Sequence, residues 1–176
     1  FWSQGNVGSY SLNFEDGDRV NIGQDFPKGV NGDIITATAW INGDDYSSQH
    51  GVVGSANNWA VQIESGQVYL RTSGGNNGGD GSSLSTGVWN HIAVIWIAGT
   101  EARTYVNGSL TDVTSFTDTS NVAEDFFIGF INGNGFKGNI NEVRIYERAL
   151  SAPEIQTLFE LEEPQGTFTQ PNEPVI

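Results

Sequence analysis

Short apolar runs separated by stretches rich in Gly, Asn and Ser set the rhythm of the chain, and most of these runs alternate with a period of two. Such alternation puts successive side chains on opposite faces of a strand. Residues 10–14 and 19–22 read as strands joined by Glu15-Asp16-Gly17-Asp18, residues 34–41 as a longer strand, and Val52-Val53 as a short one. Segments 59–64 and 67–72 flank Ser65-Gly66, a strong two-residue hairpin signal. In that hairpin Trp59, Val61, Ile63, Val68 and Leu70 share an apolar face, while Gln62, Glu64, Gln67, Tyr69 and Arg71 share the other.

Residues 89–97 are apolar on both faces, which predicts a central strand, and 101–107 should pair with it, showing Glu101, Arg103 and Tyr105 on one side. Asn107-Gly108 marks the next turn. Residues 111–124 read as loop, 126–131 as strand, and 132–136 as a tight exposed loop ending in Phe136. In the strand at 140–146, Val143 and Ile145 face one way and Glu142, Arg144 and Tyr146 the other. Ser151-Ala152-Pro153-Glu154 forms a capping box ahead of Ile155, Leu158 and Phe159 at helical spacing. Many short strands and one helix define an all-β chain. The Gly-rich stretch 73–87 has almost no side chain able to pack, and loops of that length are functional or mobile.

Length suits one domain at 1–162, with the Pro-containing segment 163–176 expected to be a linker or tail toward other domains of the same chain. The first residue is Phe1 and there is no Met, so a mature product or excised module is expected. No apolar run is long enough for a membrane span. The net charge of −14, from 21 acidic and 7 basic residues, argues against a nucleic-acid partner. The absence of Cys excludes disulfides, thiolate metal sites and a Cys nucleophile.

The strand from Gly138 to Tyr146 (G-x-I-x-E-V-R-I-Y), followed by Arg148-Ala149-Leu150-Ser151 and a capped helix, resembles the closing signature of laminin-G-like domains, which belong to the concanavalin A-like jelly rolls. Segments 13–22, 35–41, 88–94 and 104–109 are similar to earlier blocks of that family, in the same order. The resemblance implies a two-sheet antiparallel β-sandwich jelly roll with one short C-terminal helix. It also implies a structural Ca²⁺ between the first and last strands, with Asp16, Asp18 and Glu142 as ligands and Asn139 and Asn141 nearby. An extracellular or cell-surface setting, as in bacterial secreted proteins, goes with it.

Glycosidases need two carboxylates about 5–10 Å apart across the scissile bond. No strand carries acidic residues at alternate positions, and no G-x-S-x-G occurs. His91 lies in Trp89-Asn90-His91-Ile92-Ala93, which resembles a structural block of that family and implies a structural role, and His50 lies in a loop without an evident partner. Catalysis by a lyase or glycosidase is therefore the weakest reading. Sugar binding needs aromatic faces and planar polar groups. If the two hairpins share a sheet, Tyr69, Arg71, Arg103 and Tyr105 line one groove beside Gln62, with Trp59, Asn76, Asn132 and Phe136 completing it from nearby loop ends. The expected function is non-catalytic binding of a polysaccharide or oligosaccharide as a module of a larger secreted or surface protein. The alternative is an adhesion or spacer domain whose alternating strands simply keep a wet face.

Overall fold

The computed structural model describes residues 2–3, 11–24, 26, 28–30, 32–72, 75–77, 81–120 and 122–162, with the side chains of 2, 3, 75–77 and 162 outside that description. In chain order the strands are β1 (Trp2–Ser3), β2 (Ser11–Phe14), β3 (Val20–Gly23), β4 (Ile34–Gly43) and β5 (His50–Gly54). Next come β6 (Trp59–Glu64), β7 (Gln67–Thr72), β8 (Gly75–Asn77), β9 (Asn90–Ile97) and β10 (Glu101–Val106). The chain closes with β11 (Ser109–Ser115), β12 (Phe126–Ile128), β13 (Phe130–Ile131), β14 (Asn134–Gly135), β15 (Gly138–Tyr146) and helix α1 (Ala152–Glu162).

Two antiparallel sheets form the sandwich. One runs β1-β2-β15-β4-β9-β10-β11 and the other β3-β12-β5-β6-β7-β8, while β13 and β14 make a separate hairpin. The all-β jelly-roll expectation therefore holds. Between the sheets, Ile35, Ala37, Ala39 and Ile41 of β4 and Ile92, Val94 and Trp96 of β9 meet Trp59, Val61, Ile63, Val68 and Leu70 from the opposing hairpin. Each fully buried Val, Leu or Ile among them contributes about 1.5–3 kcal/mol.

The doubly apolar character of β9 has a structural cause. Its other face, with Ala93 and Ile95, joins Tyr105, Leu150 and Ile155 in a second cluster beneath α1. Trp40 stacks on Phe159 of the helix with ring centroids 5.7 Å apart. Thr36 fixes the approach to the helix, donating its hydroxyl to the Arg148 carbonyl at 2.6 Å and accepting from the Leu150 N–H at 3.2 Å.

The expected capping box forms. Glu154 N–H donates to the Ser151 hydroxyl at 3.4 Å, and Ser151 N–H donates to the Glu154 carboxylate at 2.7 Å. Arg148, hydrogen-bonded at 2.7 Å, and then Ser151 hold the Glu154 carboxyl down at about 2. Replacing an N-cap Ser by Ala costs about 1 kcal/mol, so Ser151→Ala should lower the melting temperature by a few degrees. A thermal melt by circular dichroism checks this.

Two expectations about loops need correction. Residues 109–115 are an edge strand, paired with β10 from Glu101↔Ser115 to Val106↔Ser109 with a bulge between Thr104 and Tyr105. Polar residues at both faces of this edge hide its period. Within the Gly-rich 73–87 stretch, β8 pairs Asn76 opposite Arg71, so backbone pairing alone makes a strand where side chains offer no pattern. The expected 163–176 tail and the 4–10 lead-in lie outside the described residues. Strand β15 breaks register between Asn141 and Arg144, with Glu142 at φ 49°, yet Val143 and Ile145 both pack on the main core as their spacing requires.

Candidate functional site

The hairpin β6–β7 positions its polar residues by simple alternation. Val61↔Leu70 and Ile63↔Val68 point inward, so Gln62↔Tyr69 and Ala60↔Arg71 occupy the outward face of the six-stranded sheet. The pairing carries this row across the sheet: Asn21, Phe127, Gly54, Ala60, Arg71 and Asn76 are successive partners from β3 to β8. A second row places Gly51 beside Gln62 and Tyr69. Neighbouring strands lie about 4.8 Å apart, so Phe127 and Arg71, three steps apart, are separated by roughly 14 Å.

The face is closely built. A Cβ on Gly51 would sit 2.4 Å from the backbone nitrogen of Ile131, so only Gly lets the β13–β14 hairpin lie against this point. Gln62 is 2% exposed, and its Nε2 has no hydrogen-bond partner among the described residues. The Nε of Arg71 is likewise buried and without a partner. From the hairpin tip a polar chain runs to the end of β6: Asn134 Nδ2 donates to Gln49 at 3.2 Å, and Gln49 Nε2 donates to Glu64 at 3.1 Å. Tyr69, half-buried, donates its hydroxyl to Gln67 at 3.4 Å.

At the far side Arg19 lies over two rings, 4.8 Å from the Phe130 centroid and 5.5 Å from that of Phe127. Sequence reasoning passed over Arg19, Phe127 and Gln49, because each meets its partners only through pairing of strands distant in the chain.

Gln62, Tyr69 and Arg71 thus come together as expected, with the Asn76 backbone paired beside Arg71; the Asn76 side chain is outside the described residues. Asn132 is exposed at the β13–β14 turn with φ 49°. Arg103 and Tyr105 do not join them. They stand on β10 in the other sheet, where Tyr105 is 4% exposed beneath α1 and Arg103 bonds Glu101 at 2.7 Å. A groove shared by both hairpins does not exist. Trp59 and Phe136 are also corrected: both are core residues, Trp59 against Phe126 and Phe136 against Tyr46 and His50.

The structure does not bring the implied calcium ligands together. Asp18 accepts the Glu15 N–H at 3.0 Å, Asp16 is 3.7 Å from Lys137, and Glu142 is paired with Arg144 at 2.7 Å. Gly138 pairs with Phe14, close to the Asp16 turn. Glu142 lies four residues further along β15, roughly 13 Å at 3.3 Å per residue. No group of three or more His, Cys, Asp or Glu among the described residues is placed to hold a metal.

The family model described as the concanavalin A-like lectin/glucanases superfamily matches residues 8–156. No curated protein sequence matches the chain. Among solved structures, domain 4 of a GH43 extracellular arabinanase from Geobacillus stearothermophilus, in complex with arabinotriose, is similar at 20% identity and TM-score 0.69, over 89% of this chain and 79% of that one. A putative carbohydrate-binding protein from Bacteroides ovatus is similar at 21% identity and TM-score 0.68, over 89% of this chain and 47% of that one. The botulinum neurotoxin serotype G binding domain is similar at 18% identity and TM-score 0.68, over 92% and 44%. The chain therefore spans about half the length of the last two. At these identities the likeness is one of fold.

Proposed function

Since the chain belongs to the concanavalin A-like lectin/glucanase superfamily, we propose that it is a non-catalytic carbohydrate-binding module that acts outside the cell or at its surface and holds a polysaccharide on the outward face of the six-stranded sheet. The observation that carries this is Gln62. An amide kept 2% exposed beneath the outward face with an unpartnered Nε2 costs stability, and a ligand hydroxyl relieves that cost once the amide turns toward it. Tyr69 beside it offers ring surface to C–H groups, and Asn132 and Asn134 offer amides from the hairpin tip. The sugar-binding proteins among the structural neighbours support the reading.

Strands β5, β6 and β7 contribute a single carboxylate, Glu64, to this face, and glycoside hydrolysis needs two facing each other. That favours binding over turnover. No helix among the described residues is long and apolar enough to cross a membrane.

Gln62→Leu separates a structural role from a binding role. Deleting an unsatisfied buried amide at similar volume should leave stability unchanged or raise it, while affinity for a retained polysaccharide falls about tenfold, the loss of one or two good hydrogen bonds. Affinity electrophoresis against a glycan panel, with a melt of the same samples, reads both. A variant that binds as well as the wild type, with Tyr69→Ala also unaffected, sinks the assignment of this face.

A protein-contact reading has one observation behind it. Leu110 and Val113 on edge strand β11 are each 51% exposed, and an edge strand with apolar side chains is a ready docking line. Glycan binding that survives Leu110→Glu and Val113→Glu keeps that edge separate from the sugar site.

A further inference from the structure

We infer that the glycan held on this face carries carboxylate groups at more than one position along its chain, bound by Arg19 at one side of the sheet and Arg71 at the other. The inference rests on the carbohydrate-binding reading and gives it a ligand class.

The chain has 21 acidic residues against 7 basic ones, so acidic partners for arginine are plentiful. Three arginines take them: Arg103 pairs with Glu101, Arg144 with Glu142, and Arg148 with Glu154. Arg19 and Arg71 have no carboxylate partner among the described residues, and both belong to the outward face of the six-stranded sheet. Arg71 lies in the row that continues through Ala60 and Gly54 to Phe127, and Arg19 lies over the ring of that Phe127. In so acidic a protein, two guanidinium groups without a carboxylate partner among the described residues, on one face, are open to an anionic ligand.

Their settings suit planar anions. The rings of Phe127 and Phe130 hold the exposed Arg19 guanidinium at the surface, where its N–H groups can donate to a ligand. Arg71 is half-buried, and the fork of its terminal N–H groups matches the two oxygens of a carboxylate. Glu64, the carboxylate that β5, β6 and β7 put on this face, is occupied by Gln49 and stands four residues along β6 from the Arg71 row.

The separation sets the kind of ligand. From β3, which Arg19 immediately precedes, to β7 is four strand spacings, roughly 19 Å at the backbone. A single acidic sugar does not reach both. A chain laid across the strands does, which points to a polyuronate or a polysialic-acid-like polymer rather than a terminal acidic residue.

The test uses the whole chain against polygalacturonate, alginate and polysialic acid, each beside its carboxyl-reduced form, with neutral arabinan and cellulose oligosaccharides alongside. Binding to at least one acidic polymer is expected, weakened about tenfold or more by carboxyl reduction, the loss of a charge-assisted hydrogen bond. Arg19→Gln and Arg71→Gln should each weaken it about as much. Arg103→Gln removes the same charge from the other sheet and should change nothing. Arg71→Lys keeps the charge without the fork and should recover part of the loss. Melting temperatures of all four variants show that each is folded. Equal affinity for neutral and acidic glycans, or indifference to both Arg19→Gln and Arg71→Gln, overturns the inference and leaves the carbohydrate-binding reading standing. Failure to bind any glycan overturns both.

Discussion

Tyr105→Ala is expected to destabilise the domain by about 3–5 kcal/mol, the usual loss for truncating a buried aromatic side chain. In a chain of this length that is on the order of 10 °C in melting temperature. Glycan affinity, measured well below the transition, should not move. The ring is 4% exposed and packs with Ala93, Ile95, Leu150 and Ile155, so its removal opens a cavity beneath α1 that the backbone on either side cannot collapse to fill. Tyr69→Ala should behave in the opposite way, sparing the melt and weakening binding, because Tyr69 is half-buried on the outward face of the other sheet. The pair is informative because both tyrosines alternate with arginine on strands of similar composition. Differential scanning calorimetry with affinity electrophoresis on the two variants decides it. A Tyr105→Ala protein that melts like the wild type shows that the helix is not seated on this ring.

That pair also marks how far the sequence reaches. Alternation within 59–72 places Gln62, Tyr69 and Arg71 on one face because a hairpin is local, and period two leaves no freedom once Val61 and Leu70 point inward. It is silent on which sheet the second hairpin enters. That depends on β4 pairing with β9, from Ile34↔Ile97 to Ile41↔Asn90, a contact between distant segments that draws β10 into the seven-stranded sheet. Tyr105 then finds a helix above it where Tyr69 has none.

Trp59 and Phe136 mislead for a related reason. Each adjoins a polar loop, and nearness to a loop says nothing about which face a side chain takes; both turn inward. Arg19 and Phe127 carry no local signal at all, since only the β3–β12 pairing brings them together. The capping box of α1, by contrast, is legible down to its hydrogen bonds because it needs only four consecutive residues.

His91 shows the same division within one residue, and its consequence is a pH dependence. Its segment, Trp89 to Ala93, resembles a structural block of the family and so marks it as structural, and it is fully buried, with the Trp40 ring centroid at 5.3 Å and Phe159 at 6.2 Å. Neither ring nitrogen has a hydrogen-bond partner among the described residues. Burial, reinforced by the Arg144 charge, pushes its pKa from the ordinary 6.5 down to about 4. Between those values the unfolded chain binds a proton that the folded one refuses, so stability rises with pH across that window. The contribution is complete above pH 6.5 and is lost as pH falls toward 4. At about 1.4 kcal/mol per pH unit of displacement this amounts to about 3 kcal/mol. Urea midpoints for the wild type should therefore drop between pH 7 and pH 4.5, and His91→Phe, which keeps an aromatic ring in the cage, should remove most of that slope. The acid loss from Glu154, held near 2 by Arg148 and Ser151, belongs to lower pH and should persist in the variant. Equal slopes for the two proteins would mean that His91 finds an acceptor on protonation, and that the helix above it yields to let one in.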